Sequence, residues 1–166
     1  MSKYITITNN SNLILKVSTM SLLAMLNDVK TSLYVVKGTA PKASTDGYFW
    51  TGKVYKNNKL VGSVENRGDG GPINFYGFTK EAMDDLKDFA KGKNQWDCKE
   101  ILVSELADNY QLYKQISRKA KKSLLALVKD NPNGGYLQFD LVDIPKNRNA
   151  VINKYGKETI FLNDLV

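Results

Sequence analysis

The chain of 166 residues has no histidine and a single cysteine, Cys98. These shortages exclude most of the usual catalytic and metal-binding chemistry, because serine–histidine and cysteine–histidine catalytic groups and cysteine–histidine zinc sites need residues that are missing here. One thiol also cannot form a disulfide within the chain. We therefore expect a protein that is not an enzyme, with no catalytic residues, no metal site and no cofactor.

Long hydrophobic runs are missing as well. The longest apolar stretches, such as 123–128, fall far short of the roughly 20 residues that cross a bilayer. No charged and then apolar leader precedes the first strand-like residues at 4–8, so a secretory route is not indicated. These features predict a cytoplasmic protein with no membrane partner.

Positive charge dominates the chain, with a net charge of +7, and it is unevenly placed. Residues 1–60 carry eight lysines and two aspartates, a net +6, and residues 111–130 carry six basic residues and one aspartate, a net +5. A positive field raises the rate of encounter with nucleic acid or with an acidic protein surface. A lysine-rich surface also serves solubility alone.

The apolar pattern predicts a single α+β domain over 1–166, with a mainly antiparallel sheet and three or four helices packed on one face. Strands 3–8 and 13–18 are expected to form a first hairpin. A loop is expected at 38–47, and a helix capped by Thr79 and stopped by Gly92. Further strands are expected at 31–37, 50–55, 59–64, 73–76, 136–142, 150–155 and 158–162; further helices are expected at 19–30 and from 99 to about 127, the latter as one long helix or as two.

The clearest local signal is a hairpin that turns near Asn57 and Asn58. A three-residue loop is favoured, since it gathers the large apolar side chains on one face. The facing pairs are then Trp50 with Val64, Gly52 with Gly62, and Val54 with Leu60. A two-residue turn instead pairs Trp50 with Glu65 and Val54 with Val61. Facing glycines favour a bulge or bend over a gap that admits a helix or a ligand.

A basic stripe is expected along the exposed side of the helix that begins near residue 99. Its members lie three or four residues apart: Lys114, Arg118, Lys121 and Lys122. Such a stripe suits contact with phosphates or with an acidic protein groove, and it is also the normal appearance of a solvated helix face.

The solvent face of the hairpin combines aromatic and basic residues. Phe49, Lys53 and Tyr55 are expected on it, with Lys59 opposite Tyr55. This mixture suits stacking on single-stranded nucleic acid. Cross-strand pairs of this kind also stabilise and protect an ordinary sheet face.

A glycine-rich run, 68–71, follows the hairpin. Backbone amides of such a run can cradle an anion, but a nucleotide-binding loop needs a helix directly after it, and here Pro72 and a strand follow. We therefore interpret the run as a bulged loop, with Arg67 and Asp69 part of the hairpin's contact surface.

The carboxylates of the chain raise the possibility of a metal-dependent nuclease. Metal-dependent nucleases carry an acidic-x-Lys triplet on a strand, and this chain has three matches, at 28–30, 85–87 and 97–99. None lies inside a predicted strand. Asp140 and Asp143 are close in sequence, but solvated aspartates at a strand end explain them equally well.

The segments 50–55, 57–62 and 64–71, with the sequences WTGKVY, NNKLVG and VENRGDGG, resemble a Gly-rich hairpin of small phage and mobile-element accessory proteins. The resemblance spans about 22 of the 166 residues. It implies an accessory role in the contest with a bacterial host, inside the host cytoplasm, and brings no catalytic residues.

Three hypotheses follow from the sequence. The leading one is a non-enzymatic phage-type binding protein that inhibits a host nucleic-acid-handling or defence complex, of the anti-CRISPR or anti-restriction kind, through its basic surface. The alternatives are a direct DNA- or RNA-binding module and a metal-dependent nuclease. The residues expected to bind the partner are Lys114, Arg118, Lys121, Lys122, Lys53, Tyr55, Lys59, Arg67 and Asp69.

Overall fold

A computed structural model describes residues 2–5, 19–94, 96–128, 131 and 135–166. In chain order its elements are β1 (Ser2–Ile5), α1 (Thr19–Thr31), β2 (Tyr34–Gly38), β3 (Lys42–Ser44), β4 (Gly47–Lys56), β5 (Lys59–Asn66), β6 (Asn74–Tyr76), α2 (Lys80–Ala90), α3 (Lys99–Ala120), β7 (Leu124–Leu127), β8 (Tyr136–Phe139), α4 (Pro145–Tyr155), β9 (Ile160–Phe161) and a 3₁₀ turn at Leu162–Asp164. Helices and antiparallel sheets together confirm the α+β class.

The chain divides into two compact units. The central unit comprises 31–112, and the terminal unit comprises 1–30 with 113–166. Each unit contains one antiparallel sheet, so the described residues form two sheets where the sequence suggested one. That 1–166 forms a single domain stays a prediction.

The sheet of the central unit has the strand order β2-β4-β5-β6, and β3 pairs with β4 at its edge. One face of this sheet, the inner face, carries buried Val36, Val54 and Val64. Those side chains share a core with Leu86 and Ala90 of α2 and with Leu102, Val103 and Ala107 of α3. Two helices thus cover one sheet face, as the sequence predicted for the fold.

Helix α2 begins and ends where its sequence signals lie. The Thr79 hydroxyl accepts a hydrogen bond from the Ala82 amide at 3.1 Å, which satisfies one of the free N–H groups of the first turn. Gly92, just past the end, has a φ of +71°. The predicted cap and stop are both confirmed.

The expectation of a plain loop at 38–47 was wrong. Lys42–Ser44 forms strand β3, whose residues Lys42, Ala43 and Ser44 pair with Phe49, Tyr48 and Gly47. All three β3 residues are exposed. The strand therefore left no apolar alternation in the sequence by which it could be recognised.

The favoured three-residue loop of the β4–β5 hairpin was wrong too. Asn57 and Asn58 have φ values of +47° and +63°, and together they form the two-residue turn that matches the twist of the strands. A bulge then adds one residue to β5, so that Val54 faces Gly62 and Gly52 faces Val64. Without this extra residue, Val64 would point away from the core.

The bulge changes which side chains are buried. Leu60, expected on the apolar face, is 57% exposed and faces Tyr55. Gly62 is covered by the Phe78 ring, since a Cβ built at Gly62 would lie 2.2 Å from two ring carbons. The missing side chain at Gly62 thus admits the residue that leads into α2.

We predict that Gly62→Ala destabilises the protein by about 1–3 kcal/mol, because the added methyl group displaces the Phe78 ring from its packing place. Urea unfolding measures the change. The double variant Gly62→Ala/Phe78→Leu should recover part of the loss, and strictly additive effects of the two substitutions would contradict the proposed contact.

The sheet of the terminal unit has the order β1-β8-β7-β9. Every residue of β7 is buried. Leu124 and Ala126 share a core with Leu137, Phe139 and Val151, the last from α4. Leu125 and Leu127 point to the opposite face and are buried as well.

The expected helix to residue 127 was therefore wrong in its last part, since α3 ends at Ala120. A strand buried on both faces shows a continuous apolar run, which periodicity cannot distinguish from the buried side of a helix. The expected first hairpin is not tested, because 13–18 lies outside the described residues; β1 pairs with β8.

The strand expected at 150–155 was also wrong. These residues belong to α4, which starts with Pro145 at its first position and ends at Tyr155, directly before Gly156, whose φ is +99°. Val151, Ile152 and Tyr155 pack on the core of the terminal unit. Their positions, one and four residues apart, place them on one face of a helix. The expectation of a strand assumed that buried residues alternate with a period of two.

Arg148 of α4 links two carboxylates of the terminal unit. Its guanidinium donates to Asp143 at 2.5 and 2.7 Å and to Asp164 at 2.9 and 2.7 Å, and it lies 4.8 Å from the centre of the Phe161 ring. The hydrogen bonds from Arg148 hold the pKa of Asp143 below its usual value.

We predict that this group makes the protein sensitive to acid. A lowered pKa in the folded state stabilises the fold above the unfolded value of about 4, and this stabilisation disappears as pH falls through the folded-state pKa. Arg148→Leu should lower the free energy of unfolding at pH 7 by about 1 kcal/mol and flatten its fall in acid. Urea unfolding at several pH values, with Arg67→Leu as the control, measures this; equal acid curves for wild type and Arg148→Leu would contradict it.

Candidate functional site

The strongest concentration of positive charge in the described structure lies where α3 ends. Arg118 and Lys119 are in the last helical turn, and Lys121 and Lys122 follow in the turn that leads into β7. The four residues, here called the basic turn, line a hollow of about 410 Å³ together with Ser123 and Gln138. The prediction of a stripe along one helix was therefore wrong for Lys121 and Lys122, which lie beyond the end of α3. Both residues nevertheless line the same hollow as Arg118.

Hydrogen bonds to the backbone hold the basic turn in place. The amides of Lys122 and Ser123 both donate to the Lys119 carbonyl at 2.9 Å. The side-chain amide of Asn163, about forty residues away in sequence, donates to the carbonyls of Ala120 and Ser123 at 2.9 and 3.0 Å. The Asn163 oxygen accepts from the Leu125 amide at 2.8 Å, so one side chain joins the helix end, the turn and the strand.

Strand β8 contributes Gln138 to the lining of the hollow. The Gln138 side chain donates to the Ser123 hydroxyl at 2.9 Å. Lys119 donates to the Tyr136 hydroxyl at 3.2 Å, and its ammonium lies 5.7 Å from the centre of the Tyr136 ring. Lys119 is therefore positioned by the terminal unit itself.

The other three cations of the basic turn have no carboxylate partner among the described residues. Arg118, Lys121 and Lys122 are exposed, and none of them takes part in a salt bridge within the part of the chain that the structure describes. Cations at a helix C-terminus interact favourably with its free carbonyls, which partly offsets their mutual repulsion. Their positive field remains directed into the solvent.

Lys114 lies one turn earlier on α3 and is half-buried. It shares the side of the helix with Arg118 by its spacing of four residues. Lys114 therefore lies beside the basic turn, on the same side of α3 as Arg118.

The hairpin residues expected to bind belong to the central unit. Lys53 and Tyr55 lie on the outer face of its sheet, opposite the core. Lys59 faces Lys56, so the expected pairing of Lys59 with Tyr55 was wrong. The two-residue turn is the reason. Each β5 residue beside this turn faces the β4 residue one position nearer the turn than a three-residue loop would give.

Arg67 and Asp69 have local partners in the glycine-rich loop. Arg67 donates to the Glu65 carboxylate at 3.0 Å, and Asp69 accepts from the Gly71 amide at 3.0 Å. Gly68 has a φ of +65°, and a Cβ there would lie 2.7 Å from the backbone of Tyr48. Asp69 therefore shapes the loop, which packs on the β3–β4 turn.

The carboxylates of two acidic-x-Lys triplets, Asp85 and Asp97, have separate hydrogen-bond partners, and Asp97 accepts from the Gly92 amide at 2.6 Å. Asp85 accepts hydrogen bonds from Lys56 and, at 2.9 Å, from the Tyr34 hydroxyl; the bond from Lys56 lowers the pKa of Asp85. Burial and the Asp85 bond raise the pKa of Tyr34. Among the described residues, no group of three or more cysteine or carboxylate side chains is placed to hold a metal ion.

Comparison with protein families, with curated proteins and with solved structures gives no significant match to this chain. Within the described ranges, none of the helices combines the length and the apolar character that crossing a bilayer requires.

Sequence reasoning missed Lys119, Gln138 and Asn163. Lys119 belongs to the run of basic residues at 118–122, so the charge of that segment could have identified it. The role of Asn163 has none, because it depends on a contact between residues that are distant in the chain.

We predict that Asn163→Ala lowers the free energy of unfolding by about 1–3 kcal/mol, since backbone groups of 120–125 lose their partners. The amides of 119–124 should also exchange hydrogen faster with solvent. Asn153→Ala on exposed α4 is the matched control. Unchanged exchange at 119–124 would show that Asn163 does not hold the basic turn.

Proposed function

We propose that the protein is a non-catalytic binding protein of phage type, which inhibits a nucleic-acid-handling or defence complex in the host cytoplasm. The basic turn is the surface that docks on an acidic region of that complex. The observation that carries the proposal is the set of three exposed cations, without a carboxylate partner among the described residues, on a turn fixed by Asn163.

Rigidity supports docking as the mode of action. Arg118, Lys121 and Lys122 project from backbone that is already hydrogen-bonded, so little backbone order has to be gained when a partner binds. Complementary charge raises the association rate and disfavours wrong partners. Inhibition then follows from occupation of the acidic surface, without a covalent step.

Direct binding to DNA or RNA through the same turn is the competing function. Phosphates also complement a cluster of cations, and such binding weakens steeply with salt. Purified protein alone would then bind oligonucleotides, and neutralising the turn would abolish that binding.

We predict that Arg118→Glu/Lys121→Glu/Lys122→Glu abolishes the protective effect of the protein on phage plated on hosts that carry restriction or CRISPR systems. Wild-type protein should raise the plating efficiency, and the charge reversal should weaken capture of the host complex by about tenfold or more. The triple variant Lys80→Glu/Lys146→Glu/Lys157→Glu has the same change in charge on exposed residues elsewhere and should behave as wild type.

An experiment in which tagged protein captures its partner from host lysate, with and without nuclease treatment of that lysate, separates the two functions. Capture that survives nuclease and depends on the basic turn supports the proposal. Capture that disappears with nuclease supports direct nucleic-acid binding, and equal capture by wild type and the charge-reversed variant would refute both.

A further inference from the structure

A second surface, separate from the basic turn, lies on the outer face of the central unit's sheet. Lys37, Lys53, Ser63 and Tyr76 stand directly opposite one another on β2, β4, β5 and β6. Residues that face each other in this way point to the same side of a sheet. They form one row across four strands, on the face opposite to Val36, Val54 and Val64.

A neighbouring row adds hydroxyl groups and one carboxylate. Thr51 faces Glu65 across β4 and β5, and the Thr39 hydroxyl accepts from the Thr51 amide at 3.0 Å. The two rows border a hollow of about 360 Å³, and Tyr76 forms part of its wall. A hollow of this size has room for a planar ring the size of a nucleobase.

The charge of this outer face is positive. Lys37 and Lys53 are exposed, and neither takes part in a salt bridge in the described ranges. The carboxylate of the neighbouring row, Glu65, is paired with Arg67 at 3.0 Å. The face therefore holds two unneutralised cations above a floor of hydroxyl groups.

Two aromatic rings share this outer face with the cations. Tyr76 is 46% exposed. The Lys37 ammonium lies 4.5 Å from the centre of the Tyr55 ring, so the two form a cation–π pair on the same face. Aromatic rings and lysines on one surface suit single-stranded nucleic acids, because bases stack on rings and phosphates pair with ammonium groups.

We propose that this outer face binds single-stranded nucleic acid. Lys37 and Lys53 contact successive phosphates, one base stacks on Tyr76, and the edge of that base meets Thr51, Ser63 and Glu65. Bases in a duplex are paired and stacked and cannot enter the hollow, so single strands are preferred. The proposal is independent of the basic turn, which lies in the other unit.

The test uses the full chain and a fluorescent oligothymidine of roughly 15 nucleotides, with binding followed by anisotropy. Tyr76→Ala should weaken binding about fivefold or more through loss of stacking, whereas Tyr76→Phe keeps the ring and should bind as wild type does. Lys37→Gln/Lys53→Gln should reduce the slope of log affinity against log salt by about 1.4, the value for two phosphates of a single strand.

Two variants with charge changes elsewhere in the chain serve as controls. Lys80→Gln/Lys87→Gln removes the same charge from α2 and should leave the affinity unchanged. The basic-turn variant Arg118→Glu/Lys121→Glu/Lys122→Glu should also bind oligothymidine; loss of binding there, with wild-type affinity in the Lys37/Lys53 variant, would overturn the inference while leaving the proposed docking surface intact.

Two further results would also overturn it. One is no binding of oligothymidine by wild-type protein at low salt. The other is competition by poly-glutamate as strong as by unlabelled oligothymidine together with no effect of Tyr76→Ala, which would indicate an acidic peptide as the ligand. Urea midpoints for each variant verify that the fold is retained.

Discussion

The hydrogen bonds of one side chain, Asn163, determine the shape of the proposed docking surface. Its amide bridges the end of α3, the turn after it and the first part of β7. A free helix end has unsatisfied carbonyls and tends to fray. Here the Ala120 carbonyl accepts from Asn163 and the Lys119 carbonyl accepts from the Lys122 and Ser123 amides, so the cations of the basic turn project from ordered backbone.

Charge placement follows from this backbone arrangement. Lys119 is held by Tyr136, whereas Arg118, Lys121 and Lys122 remain open to solvent. The carboxylates of the terminal unit near α4 are used differently, since Asp143 and Asp164 both bind Arg148. The unit therefore keeps these acidic groups in an internal network and presents cations at the end of α3, which is the distribution that a partner of opposite charge would recognise.

Local signals predicted much of the fold, and the errors arose where the local pattern was absent, ambiguous or dependent on distant parts of the chain. The cap at Thr79 and the stop at Gly92 were recognisable because each acts within a few residues. Strand β7 was mistaken for helix because the burial of one of its faces depends on packing against Val151 of α4, which is distant in the chain. The register of the β4–β5 hairpin was wrong because a bulge at Val61 leaves no local pattern, although it decides that Val64 is buried and Leu60 is exposed.

The same division applies to the candidate site. The cations of the basic turn were visible as a run of charge, but their arrangement around a helix end depends on Asn163 and on where α3 stops. The outer face of the central unit was only partly predicted: Lys53 and Tyr55 were placed on it, whereas Lys37 and Tyr76 join them through pairing with β2 and β6.

If the basic turn is a preformed surface for an anionic partner, a short glutamate peptide should bind there without reorganising the backbone. An NMR titration of the ¹⁵N-labelled protein with such a peptide tests this most directly. We expect the largest amide shifts at 118–123, reversed by added salt and without a change in the hydrogen-exchange protection of this turn. Shifts that are absent there, or that are spread evenly over the lysines of both units, would contradict the preformed surface.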